Sequence, residues 1–319
     1  MNSISKKGIY LEFGGPSGSP IFFRPWWLDV VCQEDKWDVC LSLNNSGEIA
    51  GAMPCYISTY FWLKIIRTPP FTPYLGVWLD YSQCSERNVS RYGFENEVIG
   101  DLVEQLPKVV SYHQIHPPQL QNWLPFYWRG YRQTTRYTYV IENTTPDFVL
   151  KNMRDDVRNK IRKAECSGLH ITEQNDLEKL ILLLGKTFKR QNLEMEYRGP
   201  IFQQLHDAIQ NRGQGKIFFA QTETGQAHAA LYLIWDEKTA YCWQLGSDEK
   251  FTKSGAVQLL IWYGIQAALN MGKSFNFEGS MLPHIEPVFR AFGAERRPVF
   301  QIRKFGNRFL EALWVLLKG

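Results

Sequence analysis

The segment Phe275-Asn276-Phe277-Glu278-Gly279-Ser280 places an acidic side chain after an alternating Phe-Asn-Phe run and immediately before a glycine. The alternation predicts a short strand over 274–277. A carboxylate leaving a central strand beside Gly is placed to act as a general base or to orient an amine. Ion pairing of Glu278 with a neighbouring Arg is the other use of the same residue. Upstream, Lys253-Ser254-Gly255-Ala256 opens an apolar stretch whose spacing predicts a helix over 253–271. The unpaired N–H groups at a helix start attract anions, so a pyrophosphate or nucleotide phosphate fits there, with Lys250 adding charge. Ser254 acting only as a helix cap accounts for these residues equally well.

Two further groups bear on chemistry. Tyr241 and Trp243 share one parity of a predicted strand, so their side chains line either one pocket or the core. Lys151, Arg154, Arg158 and Arg162 step by three and four along a predicted helix and form a basic stripe. A solvated face explains such a stripe, and so does contact with the phosphates of an RNA, which would be strongly salt-dependent. Asp155 and Asp156 dilute the stripe.

Other chemistries are not signalled. The six Cys, at 32, 40, 55, 84, 166 and 242, form no Cys-x-x-Cys pair and no metal-ligand spacing with the six His, so no metal site is expected. No Walker or Gly-x-Gly-x-x-Gly loop occurs. Net charge is +4, with 12 Lys+Arg against 13 Asp+Glu in residues 1–143 and 24 against 19 in the remainder. That imbalance favours an anionic ligand on the second half and gives no reason to expect a DNA partner. No apolar run reaches the length of a membrane span. The opening Met-Asn-Ser-Ile-Ser-Lys-Lys is not followed by a signal-peptide core, so a cytoplasmic location is expected.

The elements that must position these residues follow from periodicity. After a strand at 132–141, Thr145-Pro146 opens a helix that continues to Gly168, and another starts at Asp176. Strands at 215–221, 226–235 and 238–245 form a meander. Helix 253–271, strand 274–277, a short helix at 286–292 and a strand at 297–302 complete the second half. The first half repeats a similar order: a strand at 8–12, a helix at 25–33, strands at 37–43, 48–57, 59–66 and 74–79, a helix at 93–106, a strand at 108–115 and a short helix near 119–126. The expectation is an α/β protein with mixed sheets and two domains, 1–130 and 131–319. The apolar C-terminal stretch around Phe309, Leu313 and Trp314 reads as a helix that docks on its own domain or on a membrane surface or partner.

Several segments resemble the Fem-type and related GNAT-like transferases. They are Phe23-Arg24-Pro25-Trp26-Trp27-Leu28-Asp29, Arg158-Asn159-Lys160-Ile161-Arg162-Lys163-Ala164-Glu165 with Gly168, and Thr187-Phe188-Lys189-Arg190-Gln191-Asn192-Leu193. Phe275 to Ser280, and Phe289-Arg290-Ala291-Phe292-Gly293-Ala294, complete the set. The resemblance implies two tandem GNAT-like domains and transfer of an acyl or aminoacyl group to an amine, from acyl-CoA or aminoacyl-tRNA, with no covalently bound cofactor. The acceptor implied is a small molecule, or a cell-envelope or glycan precursor, and tRNA is an implied partner. Glu278 takes the catalytic role, and substrate contacts fall to Arg24, Trp27, Arg158, Arg162, Gln191, Tyr241, Trp243 and Ser280. Lys253, Ser254, Gly255 and Ala256 hold the donor. The phosphate loop of ordinary GNAT enzymes, Arg/Gln-x-x-Gly-x-Gly/Ala, is here Lys250-Phe251-Thr252-Lys253-Ser254-Gly255-Ala256, with one Gly. The alternative is a non-catalytic binding protein that keeps the fold without the donor site.

Overall fold

The computed structural model describes residues 5–60, 62–191, 199–279 and 281–306. Ser280 and the C-terminal stretch from Phe309 onward lie outside the described residues. The chain divides into two compact units, one comprising residues up to Arg136 together with those from Pro298 onward, the other Tyr137–Arg297.

The first unit contains α1 (Lys6–Glu12), α2 (Pro25–Cys32), β1 (Trp37–Leu43), β2 (Ile49–Tyr60), β3 (Leu63–Arg67), β4 (Trp78–Leu79), α3 (Asn88–Glu104), β5 (Ser111–Ile115) and α4 (Leu124–Trp128). Its sheet runs β1-β2-β3-β5, with β4 on β2, and residues 301–305 of the last described strand pair antiparallel with β5. The β3–β5 pair is parallel and the other pairs are antiparallel. Helix α3 supplies Val98, Ile99, Leu102 and Val103 to the core beneath.

Two local expectations change here. The predicted strand at 8–12 is helix α1: the Ser5 hydroxyl accepts the Gly8 amide as an N-cap, and buried Tyr10 donates to the Phe23 carbonyl at 2.5 Å. An alternation so short does not separate the two periods. The predicted strand at 74–79 contracts to Trp78–Leu79, because the Leu75 amide bonds instead to the Ile115 carbonyl.

Strand β6 (Arg132–Ile141) leads into the second unit, which continues with α5 (Pro146–Asn152), α6 (Asp155–Cys166), β7 (His170–Glu173), α7 (Leu177–Arg190), α8 (Pro200–Asn211), β8 (Gly215–Gln221), β9 (Ala227–Trp235), β10 (Thr239–Ser247), α9 (Ala256–Asn270), β11 (Ser274–Asn276) and α10 (Glu286–Arg290). Strand β12 (Glu295–Phe305) follows. The sheet order is β6-β11-β10-β9-β8-β7, antiparallel except for the β10–β11 pair. Side chains alternate across this sheet. Leu231 joins the cluster formed with Leu260 and Ile261 of α9, whereas its neighbour Tyr232 meets His206 of α8. Helices therefore cover both faces.

The single helix expected from 146 to Gly168 is two. Arg154 is extended, its amide donating to the Ala291 carbonyl at 2.9 Å, and α6 restarts with Asp155 and Asp156 in its first turn. Strand β7, paired with β8, was not expected from the sequence. Among the described residues no helix is long and apolar enough to cross a membrane.

Candidate active site

Strands β10 and β11 run parallel but pair over only three residues, Thr239 with Ser274, Ala240 with Phe275 and Tyr241 with Asn276. Beyond that point they part. The chain after β11 keeps to β6, where the Phe277 amide donates to the Tyr139 carbonyl at 2.9 Å. Strand β10 runs on to Ser247, with a register shift against β9 between Cys242 and Gln244. Among the described residues, the bulge and the parting together leave β10 backbone from Cys242 onward without a strand partner on its β11 side.

Glu278 stands at this parting. Its backbone is left-handed, with φ +60°, and Gly279 follows at +69°. A Cβ on Gly279 would lie 2.2 Å from the Tyr137 carbonyl oxygen, so only Gly fits that step. The turn is held by Asn276, whose Oδ1 accepts the Glu278 amide at 2.8 Å and the Thr138 hydroxyl at 2.7 Å. Although the residue as a whole is half-buried, its Oε1 is buried and has no hydrogen-bond partner among the described residues. Burial raises the Glu278 carboxyl well above the ordinary carboxylate range. Burial raises the Cys242 thiol, and the Glu278 charge raises it further.

The far end of β10 is built differently. Thr187 of α7 brackets Ser247: the Ser247 amide donates to Thr187 Oγ1 at 2.8 Å, and that hydroxyl reaches the Ser247 carbonyl at 3.2 Å. Lys186 pairs with the largely buried Asp248 at 2.5 Å and, as the largest favourable influence, lowers its carboxyl. Arg190 reaches Ser247 Oγ at 3.3 Å. His228 stacks on Phe251, with ring centroids 3.7 Å apart. None of Lys186, Asp248, Ser247 and His228 stood out in the sequence. The spacing of Lys186 and Arg190 four apart on the last turns of α7 was the available signal.

The other residues singled out by sequence fall into distinct settings. Gly255 is the N-cap of α9 at φ +78°, and a Cβ there would lie 2.4 Å from the Lys160 carbonyl oxygen of α6. Ser254 Oγ accepts the Ala256 amide at 3.3 Å, Ala256 is buried, and Lys253 is exposed. Arg158 donates to the Leu150 and Lys151 carbonyls at 3.1 Å each, closing the end of α5, and pairs with Asp155. Arg162 is exposed on α6, and Gln191 caps α7. Tyr241 donates to Asp236 Oδ2 at 2.6 Å, locking the β9–β10 turn, while Trp243 packs among Phe202 and Tyr232. Arg24 and Trp27 belong to the first unit, where Arg24 precedes α2 and buried Trp27 donates to Thr72 Oγ1 at 2.9 Å. In the second unit the structure gathers Glu278, Asn276 and Cys242 around the strand parting.

Residues 151–277 match the family model described as an acetyltransferase (GNAT) domain, a span that ends at the residue before Glu278. The matched span lies within the second unit. Over the whole chain the fold is similar to that of FemX, with a TM-score of 0.65 at 12% identity, covering 94% of each chain. The C-terminal domain of a putative lysylphosphatidylglycerol synthetase from Agrobacterium fabrum is similar at TM-score 0.50 and 14% identity, over 90% of this chain and 92% of that one. A conserved protein of unknown function from Bacteroides thetaiotaomicron reaches TM-score 0.52 at 9% identity, over 87% and 90%. No curated protein matches the sequence. The mixed α/β fold expected from the sequence is what the chain adopts, and it is similar to that of FemX.

Proposed function

We propose that the protein transfers an acyl or aminoacyl group to an amine, with the reacting carbonyl seated where β10 and β11 part. The observation that carries this reading is Glu278: a residue on a left-handed backbone where β11 leaves β10, its Oε1 buried and without a partner among the described residues, at the end of a stretch that matches a GNAT model. Backbone N–H groups along β10 would polarise the donor carbonyl. The amine nitrogen attacks that carbon, the bond to the leaving sulfur or oxygen breaks, and the proton lost by nitrogen passes to the Glu278 carboxylate. The substrate attacks as the neutral amine, and a raised carboxyl is the stronger base once ionised.

The donor is acyl-CoA or aminoacyl-tRNA, its anionic part directed to Lys253, Ser254 and the start of α9. Arg162 is exposed on the neighbouring α6 and can add charge there. A cell-envelope or glycan precursor, with tRNA as partner, agrees with the FemX-like fold, and the Agrobacterium fabrum relative is named for an aminoacylated product. A binding protein without a donor site is the second reading, favoured by the single-Gly loop at 250–256 and the close packing of Gly255 on α6.

The deciding assay follows transfer from acetyl-CoA and from a charged-tRNA mixture to a panel of amines. Turnover with either donor is expected, and Glu278→Gln should lower kcat by roughly 10²-fold or more while KM holds, the usual scale of general-base catalysis. Absence of both transfer and saturable donor binding would establish the binding-protein reading instead.

A further inference from the structure

The first unit holds a cleft of about 590 Å³ between α3 and the segment that leads into α4, a volume within the range of small-ligand sites. Its walls combine two chemistries. Tyr92 and Trp123 give aromatic surface, and Tyr92 is 55% exposed. The Trp123 ring is braced edge-on by Tyr127, with centroids 5.4 Å apart. Asn96, Gln121 and Asn122 bring side-chain amides, each able to donate and to accept. Asn122 Nδ2 donates to Asn96 Oδ1 at 2.9 Å, and Asn122 Oδ1 accepts the Leu124 amide at 3.0 Å, so the rim is preorganised. Among the described residues the Asn96 Nδ2 and the Gln121 amide have no hydrogen-bond partner within the protein.

The charges in the cleft cancel. Its charged lining residues are Arg91 and Glu95, and they are paired with each other at 3.1 Å. Tyr81 also donates to Glu95 Oε1 at 3.0 Å, and the Arg91 guanidinium lies 4.7 Å from the Tyr81 ring centre. Glu95 is buried and Arg91 is 39% exposed, and a charged ligand would have to compete with that pair for its partner. A neutral ligand that shows one apolar face to a ring and several hydroxyls or amides at its edge fits without doing so.

We infer that this cleft binds a neutral saccharide, a sugar ring lying against Tyr92 and Trp123 with its hydroxyls on the Asn96 and Gln121 amides. The site lies wholly in the first unit and stands whatever the second unit transfers.

Tryptophan fluorescence and calorimetry on the full chain test this with three neutral probes, the tetrasaccharides of β-1,4-linked N-acetylglucosamine, β-1,4-linked glucose and α-1,4-linked glucose. A tetragalacturonate serves as the anionic control. At least one neutral probe should saturate with a change in Trp emission, and tetragalacturonate should bind more weakly. Tyr92→Ala should weaken binding by roughly five- to tenfold, the loss of one aromatic face, with the melting temperature kept because the ring is exposed. Asn96→Ala, which removes amide donors, should weaken it independently. No saturation by any neutral probe up to ~10 mM, where even a millimolar ligand would fill the site, overturns the inference. So does equal affinity in both variants, or tighter binding of tetragalacturonate.

Discussion

The backbone N–H of Glu278 donates to Oδ1 of Asn276 at 2.8 Å, so the side chain that ends β11 also turns the chain that follows it. Together with the Thr138 hydroxyl on the same oxygen, this bond holds Glu278 at φ +60°, a region in which a side chain costs about 1–2 kcal/mol.

Glycine at this position relieves that strain and alanine does not. Glu278→Gly should therefore be more stable than Glu278→Ala by about 1 kcal/mol, although Gly normally loses more chain entropy on folding. Both variants lack the carboxyl and should fail to turn over. Denaturant melts of the pair settle the point, and an alanine variant as stable as the glycine one would show that the left-handed backbone costs nothing.

The raised Glu278 carboxyl also gives stability a definite pH dependence. Between the ordinary carboxylate value and the raised folded value, the folded protein holds a proton that the unfolded chain has released. Stability therefore falls as pH rises through that window, by at most about 1.4 kcal/mol per pH unit, the limit for one proton. Glu278→Gln removes the slope: its stability should equal that of the wild type near pH 4 and exceed it at higher pH. Parallel unfolding curves at several pH values are the measurement, and an unchanged difference across them would place the carboxyl in water.

The second unit was legible where one pattern dominated. The meander β8–β10, helix α9 and the strand before Glu278 follow from long apolar periods, and a buried helix leaves little choice of partner. The break at Arg154 was not legible, because the apolar positions Met153, Val157 and Ile161 stay in step across it. What divides the helix is a tertiary hydrogen bond to the Ala291 carbonyl. Tyr241 and Trp243 share a parity in sequence, and the structure uses both inside the fold, Tyr241 bonded to Asp236 and Trp243 packed on Phe202 and Tyr232. Glu278 was visible as a residue type beside Gly, whereas its lack of a partner depends on strands that meet only in three dimensions. The Lys186–Asp248 pair joins positions too distant in sequence for any local pattern.

The two arginines of α6 should separate in their effects. Arg158 satisfies the Leu150 and Lys151 carbonyls at the end of α5, which have no helical partner of their own, whereas Arg162 points to solvent. Arg158→Ala should lower stability by about 1–2 kcal/mol through those lost bonds, and Arg162→Ala should leave it within about 0.5 kcal/mol. If Arg162 holds the anionic donor, its replacement weakens donor binding and reduces the salt dependence of that binding. Arg158→Ala losing donor affinity at full stability would reverse the assignment.

Gly255 tests whether the start of α9 is a ligand cradle or a packing joint. A Cβ there meets the Lys160 carbonyl oxygen at 2.4 Å, inside any real contact, and the φ of +78° adds strain of its own. The obstacle is backbone on a helix that buries Val157, Ile161 and Ala164, so it cannot swing aside as a side-chain tip would. Gly255→Ala must push α6 away from α9, at a cost of about 3 kcal/mol or more. Hydrogen exchange should show lost protection along α6 from Val157 to Ala164 before other segments respond. A ligand cradle predicts a different outcome: stability and α6 protection intact, with donor binding alone weakened. The close approach to Lys160 points to the first result, and to a role for the single Gly in joining α6 to α9.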